Sequence, residues 1–343
     1  MTDGDTAFRD VGAGPERRTG VAEPRRASKP PEQPSELGRR GLWGVLRRTV
    51  REFGDDNLTD WAAALTYYAV LSIFPGLLVL VSVLGLLGQS AVQPLIDNMR
   101  SIAPGPVGDI LTTGARSLTE AQGAAGILAI VGVAGALWSA SGYIAAFMRA
   151  SNAIYDVPEG RPIWKTLPIR LAVTVVIGVL LVVSALIVVF TGELANRVGD
   201  ALGFQSWLVT AWGIVKWPVL VILVSLMLAI LYWASPNARQ AGFRWVSPGG
   251  ILAVIVWVIA SAGFAIYVAN FGSYNKTYGT LGGVIIFFVW LWISNIAVLL
   301  GAEFDAELHR GRAIAAGHPE AEEPFVELRD TRKIKKGKDT DLG

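Results

Sequence analysis

Six long apolar runs constrain this chain more than any other feature. They cover residues 62–88, 123–148, 169–192, 209–233, 248–271 and 281–302. Each reaches or exceeds the roughly 20 apolar residues needed to cross about 30 Å of hydrocarbon. In lipid a backbone amide finds no water, so every run has to pair its own amides and carbonyls as a helix. Barrel strands would show alternating segments of about 10 residues, and the sequence has none. The expected fold class is therefore an all-α integral membrane protein with six transmembrane helices.

Charge is distributed to match. Only 17% of residues are charged, against about a quarter in soluble domains, and the charges crowd into residues 1–60 and 304–343. Lysine and arginine in short flanks set orientation. Arg39, Arg40, Arg47, Arg48 and Arg51 precede the first span. Arg149, Arg161, Lys165 and Arg170 lie between spans two and three, and Arg239 and Arg244 between four and five. Arg310, Arg312, Lys333, Lys335, Lys336 and Lys338 follow the last. The alternate connections hold Arg100 and Arg116, Arg197, and Lys276. This bias puts both N- and C-termini in the cytoplasm.

Residues 1–38 are rich in Pro, Gly, Arg and Glu and lack an apolar signal-peptide core, so they are expected to form a disordered cytoplasmic arm. The membrane domain is expected over 39–312, with a disordered charged tail over 313–343. Residues 39–53 carry Leu42, Leu46, Val50 and Phe53 on one helical face and Arg40, Arg47 and Arg51 on the other. Such an amphipathic helix fits the membrane interface, with its arginines in contact with lipid headgroups; an ordinary packed surface helix has the same pattern. The long connection at 89–122 could hold short helices broken by Pro94, Pro104 and Pro106.

Much chemistry is missing from the sequence. There is no cysteine, and the two histidines, His309 and His318, fall after the last span. A metal-dependent nuclease needs clustered His, Asp or Glu, and RNA needs a basic, aromatic-lined groove; neither pattern is visible. No phosphate-binding G-x-x-x-x-G-K-[ST] loop occurs. The reading is a non-enzyme without a cofactor and without a nucleic-acid partner, in contact with membrane lipids.

Several stretches carry a specific resemblance. They are AAALTYYAVLSIFPGLLVLVS in the first span, LWSASGYIAAFMRASNAIYD closing the second, Arg161, YWASPNARQAGFRWVSPGG, and SYNKTYGTLGGVIIFFVWLWISNIAVLLGAEFDAEL. In this order, over residues 40–312, they resemble the YihY/BrkB family of bacterial inner-membrane proteins, which has also carried the label ribonuclease BN. The resemblance implies six helices, inner-membrane residence and a role in the cell envelope. It implies no established activity; movement of lipids or other amphiphiles is among the proposals for the family.

Candidate functional positions are polar or aromatic groups within or beside the spans. Tyr67 and Tyr68 open the first span; Trp138 and Ser141 lie late in the second; Asn152, Tyr155 and Arg161 follow it; Tyr278 precedes the sixth. Interfacial anchoring accounts for the aromatics equally well, and helix packing for the serines. Asn295, inside span six, should face a neighbouring helix or a cavity, since an unpaired amide is costly in lipid. Glu303 follows at a span end, expected to be wet. Lys216 is the one deep cation by this reading, snorkelling between Trp212 and Trp217. No carboxylate lies near a midplane, which counts against a conventional ion-coupled carrier. Pro75 and Pro218 can kink spans one and four. Each is followed at equal spacing by a serine, Ser82 and Ser225, a pattern expected of a three-plus-three inverted repeat.

Overall fold

The computed structural model describes residues 38–86, 125–189, 206–240, 243, 245–270, 280–320 and 322–334. Seven helices occur among them: α1 (Gly38–Asp55), α2 (Leu58–Leu86), α3 (Ala125–Ile154), α4 (Ile163–Val189), α5 (Ser206–Ala234), α6 (Pro248–Asn270) and α7 (Thr280–Ala315). No strand is found among the described residues beyond one isolated bridge between Ala238 and Leu328. Among the described residues, four stretches are long and apolar enough to cross a membrane: Ile163–Val188, Ala211–Ala234, Pro248–Ala269 and Gly282–Ala315. The first two expected spans correspond to α2 and α3, of 29 and 30 residues. Many of their side chains, the connection at 89–122 and Tyr278 lie outside the described residues.

Large apolar side chains cover the outside of α4, α5, α6 and α7. Val179, Ile222, Ile259, Ile266 and Phe288 are all exposed. A water-soluble protein rarely leaves so contiguous an apolar surface bare; hydrocarbon suits it. Buried residues concentrate instead toward one end of the bundle, around Leu58, Leu65, Phe147, Leu231 and Leu299. α7 is the central post, packing against α1, α2, α3 and α6, while α4 bridges α3 and α5.

One close helix contact has a simple cause. A Cβ on Gly249 would stand 2.0 Å from the Gly301 carbonyl oxygen, and one on Gly301 would stand 2.4 Å from that of Gly249. Glycine at both positions lets the start of α6 touch the α7 backbone. Asp305 then accepts a hydrogen bond from the Gly249 amide at 2.7 Å, and Ser247 Oγ accepts one from Gly250 at 2.9 Å. A carboxylate and a hydroxyl thus satisfy amides that a helix N-terminus leaves open.

The segment after α7 differs from expectation. α7 runs to Ala315, and residues 322–334 fold back as a strap across the 235–240 connection, correcting the expected disorder for residues 313–334. Arg239 donates its amide to Glu327 and Arg329 its amide to Asn237, at 2.7 and 2.8 Å. Phe325 is buried and stacks on Tyr155. The polar composition that suggested disorder reflects ion pairs instead: Lys165 and Arg332 both bind Asp330.

α1 also differs in detail. Val45 and Thr49 face the protein, and Phe53 packs on its core. Leu46, Val50 and Trp43 form a bare stripe. Arg47 and Arg51 are exposed beside it, and the Arg40 side chain lies outside the described residues.

Candidate functional site

The candidate residues separate into three groups. The first is a polar cap where α1, the 155–162 connection, the 235–240 connection and the strap meet. Arg161 is buried and donates to both oxygens of Glu159, at 2.8 and 2.7 Å, and to the Ser235 carbonyl at 2.7 Å. Burial alone would raise the Glu159 carboxyl, yet these bonds hold it below its ordinary value. Asn152 donates to Glu159 and accepts from the Asn237 amide. Asn237, fully buried, donates to the carbonyls of Pro158 and Asp330 and accepts from the Asp330 amide. Tyr155 accepts a bond from Gln240. The Arg332 side chain, its amide and Lys165 hold the Asp330 carboxyl well below the usual range. Asn152, Tyr155 and Arg161 are thus brought together, as struts of this cap.

Glu303 belongs to the same end and is corrected from wet to buried, at 1% exposure. Its Oε2 has no hydrogen-bond partner. Asp56 is its main electrostatic neighbour, with Glu307, Glu52 and Asp156 beyond. Arg48 and Arg310 pair with Glu307 and keep this acidic patch from being bare. Burial, aided by Asp156 and Glu52, pushes the Asp56 carboxyl up to about 7, with a hydrogen bond to Glu303 offsetting part of the rise. Asp156 stands exposed at the rim, but packed atoms around it and the nearby Glu323 push its carboxyl up to about 6. Asp56 and Asp156 border an open cleft of about 550 Å³, lined also by Arg149, Asn152, Glu159 and Glu323. Among the described residues no three His, Asp or Glu side chains are grouped to hold a metal.

The second group is a clasp. Asn295 accepts from the Tyr143 hydroxyl at 2.9 Å and donates to Thr66 at 3.0 Å, and Thr66 donates in turn to the Ala62 carbonyl. One amide thereby joins α2, α3 and α7. Asn295 faces neighbouring helices, with its oxygen and nitrogen both engaged, so it acts here as a tie between helices.

The third group was only partly visible in sequence. Arg170 lies in the second turn of α4, because the helix starts at Ile163 and continues through Pro168; the expected span began just before it. Its Nη2 donates to Ser141 Oγ at 2.6 Å, and its guanidinium lies over the Trp138 ring, 5.4 Å from the centroid. Ser141 is buried and donates to the Trp138 carbonyl. Tyr68 packs so closely on Gly142 that a Cβ there would meet its ring at 2.8 Å. Tyr68, Trp138 and Ser141 are therefore gathered round one cation that sequence reasoning counted only as a flanking charge. The signal was Pro162, which favours the start of a helix. Tyr67 is exposed and touches Tyr68 edge-on. Lys216 lies over Trp217. α5 is unbroken at Pro218, and α2 runs on past position 75.

The fold and this surface define a polytopic, all-helical bacterial membrane protein. The profile of the family described as "Virulence factor BrkB" matches residues 49–324, and the chain belongs to that family. It is 30% identical over 259 residues to a protein of Bacillus subtilis named "Putative ribonuclease-like protein YfkH", covering 75% of this chain and 92% of that one. A "UPF0761 membrane protein" of Alteromonas mediterranea is 30% identical over 274 residues, 78% of this chain and 88% of the relative. One of Ralstonia nicotianae is 28% identical, and there the match covers 78% of this chain but 59% of the relative. No solved structure matches the chain.

Proposed function

We propose that this chain is a six-span protein of the bacterial cell envelope, with both termini cytoplasmic, that lets a lipid or other amphiphilic solute move without an ATPase of its own. The observation that carries the reading is the succession of polar groups along α3. Arg149 and Asn152 line the open cleft, and Ser141 with Arg170 lies deeper, beside exposed apolar surface at Trp138. Amphiphiles need a polar track next to a hydrocarbon-facing wall. Supporting the topology, every connection that the positive-inside bias assigns to the cytoplasm contributes to one polar cap. Supporting an interfacial α1, its bare Trp43, Leu46 and Val50 stripe adjoins Arg47 and Arg51, as a headgroup-level helix requires.

The chain is read as a non-enzyme that takes no nucleic acid; the ribonuclease wording belongs to the name of the Bacillus relative. A second reading, a non-transporting organiser of envelope partners, is favoured by the Tyr143–Asn295–Thr66 clasp, which closes α2, α3 and α7 on one another. Flipping of a headgroup-labelled phospholipid in liposomes separates the two. Protein-dependent flipping above that of empty liposomes supports movement. A well-folded protein that flips nothing moves the weight to the organiser.

A further inference from the structure

Arg170 is a cation without an anion. Among the described residues no carboxylate pairs with it: its partners are the Ser141 hydroxyl and the face of Trp138. The Nε–H is shielded from solvent and has no acceptor. Another cation, Arg149, acts on it and repels it, and the Tyr68 hydroxyl acts in the opposite sense. A guanidinium offers five N–H donors, and one of them is spoken for by Ser141. An unpaired charge in a membrane span is costly and marks a site by default.

The simplest alternative is that Arg170 snorkels to bulk headgroups. In a helix, side chains lean toward the N-terminus, which for α4 is the capped end, so snorkelling would carry the guanidinium to the level of Arg149. It does not go there. Ser141 lies about 12 Å farther along α3 from the cap than Arg149, at 1.5 Å per residue, and holds the guanidinium at its own depth. The wall beside it is apolar and bare: Trp138 is 62% exposed, and Leu71, whose carbonyl accepts from Ser139, is 44% exposed. A positive head, a hydroxyl and an exposed aromatic-aliphatic wall together describe the recognition of a phosphate carried on an acyl chain. Guanidinium binds phosphate through parallel N–H bonds, and the ring and Leu71 offer contact to the hydrocarbon.

We infer that Arg170, Ser141 and Trp138 form a binding site for the phosphate of an anionic phospholipid, seated laterally between α3 and α4 below the headgroup level, with Arg149 at the cleft as its outer station. The inference rests on the proposal that the chain handles amphiphiles, and it names the headgroup chemistry that such handling selects.

The test is native mass spectrometry of the full chain in detergent, titrated with phosphatidylglycerol, phosphatidylcholine or inorganic phosphate. The wild type should retain one phosphatidylglycerol in preference to phosphatidylcholine. Arg170→Gln should weaken this retention tenfold or more, and Arg170→Lys by less, since charge remains while the fork is lost. Lys216→Gln, elsewhere on the surface, should leave it unchanged. If Arg170→Gln does not fold, Trp138→Leu, which alters an exposed side chain, should weaken retention at least threefold. Equal affinity in Arg170→Gln, or in Trp138→Leu where that variant replaces it, overturns the site, as does equal retention of phosphatidylcholine. Displacement of the lipid by millimolar inorganic phosphate overturns an amphiphile as the occupant. Binding is read without movement, so a protein that retains lipid at Arg170 yet flips none refutes the transport reading and leaves the site standing. Flipping together with unchanged affinity in Arg170→Gln refutes the site alone.

Discussion

Placing a single methyl group at Gly249 tests how the bundle is held together. The new Cβ would lie 2.0 Å from the Gly301 carbonyl oxygen, where ordinary contact starts at 3.4 Å, so α6 has to retreat by roughly 1.4 Å, the difference of the two, or the core must strain. Such a retreat opens the 2.7 Å bond from the Gly249 amide to Asp305 past useful range. Overpacking costs about 1–3 kcal/mol, and losing a hydrogen bond to a charged acceptor about 1.5–3 kcal/mol. Gly249→Ala should therefore destabilise by about 3 kcal/mol or more. Gly263→Ala is the control on the same helix: nothing lies within 4 Å of its Cβ, and the change should be neutral or stabilising by about 0.5 kcal/mol. Denaturant unfolding in detergent, followed by tryptophan fluorescence, reads both. Midpoints for the two variants that coincide would refute the close approach of α6 and α7.

Three further outcomes follow from the cap. Arg161→Ala leaves Glu159 without its main partner and frees two buried carbonyls, so it should cost about 3–5 kcal/mol in the same unfolding assay, more than Arg239→Ala, whose pair with Glu327 is exposed. Asn237→Ala removes bonds to Pro158 and Asp330. It should release the strap, seen as faster tryptic cleavage after Arg329 and Arg332, and cost about 2–4 kcal/mol. Asp56 and Asp156 carry raised carboxyl values, about 7 and 6. The folded protein therefore holds protons that the unfolded chain has released, and stability contributed by these groups is full below about pH 4 and lost as pH rises toward 7. Thermal unfolding between pH 5 and 8 should show this fall, and Asp56→Asn should flatten it; an unchanged slope would show that Asp56 titrates normally.

The helical membrane class was legible because backbone pairing in lipid leaves no alternative to helix over long apolar runs. Asn295 was legible as a residue needing partners, since an amide in hydrocarbon has to find them. Its particular partners were not, because Tyr143 and Thr66 lie far away in sequence. Gly249 stands at the start of α6, and its contact with Gly301 depends on two helices meeting, which no local pattern encodes. The tail was misread for a related reason. Charges at 322–334 suggest solvation when seen alone, but their counter-charges at Lys165 and their backbone partners at Gly160 and Asn237 are supplied by distant connections. Arg170 was counted only as a flanking charge because the span was drawn from its apolar residues, from 169, although the helix begins at Ile163, just past Pro162.

The strap also imposes an order on synthesis. The Asn237 carbonyl accepts from Arg329, and the Gly160 carbonyl from Lys333, so two connections wait for residues made much later in translation. Until the ribosome has passed residue 333, those groups and the buried Asn237 side chain lack their permanent partners, and the cap stays open to water and to proteases. Closure of the cap therefore reports that the last span has been made and delivered. A chain stopped short of the strap would carry its helices in the membrane and still display an unfinished polar cap to quality control.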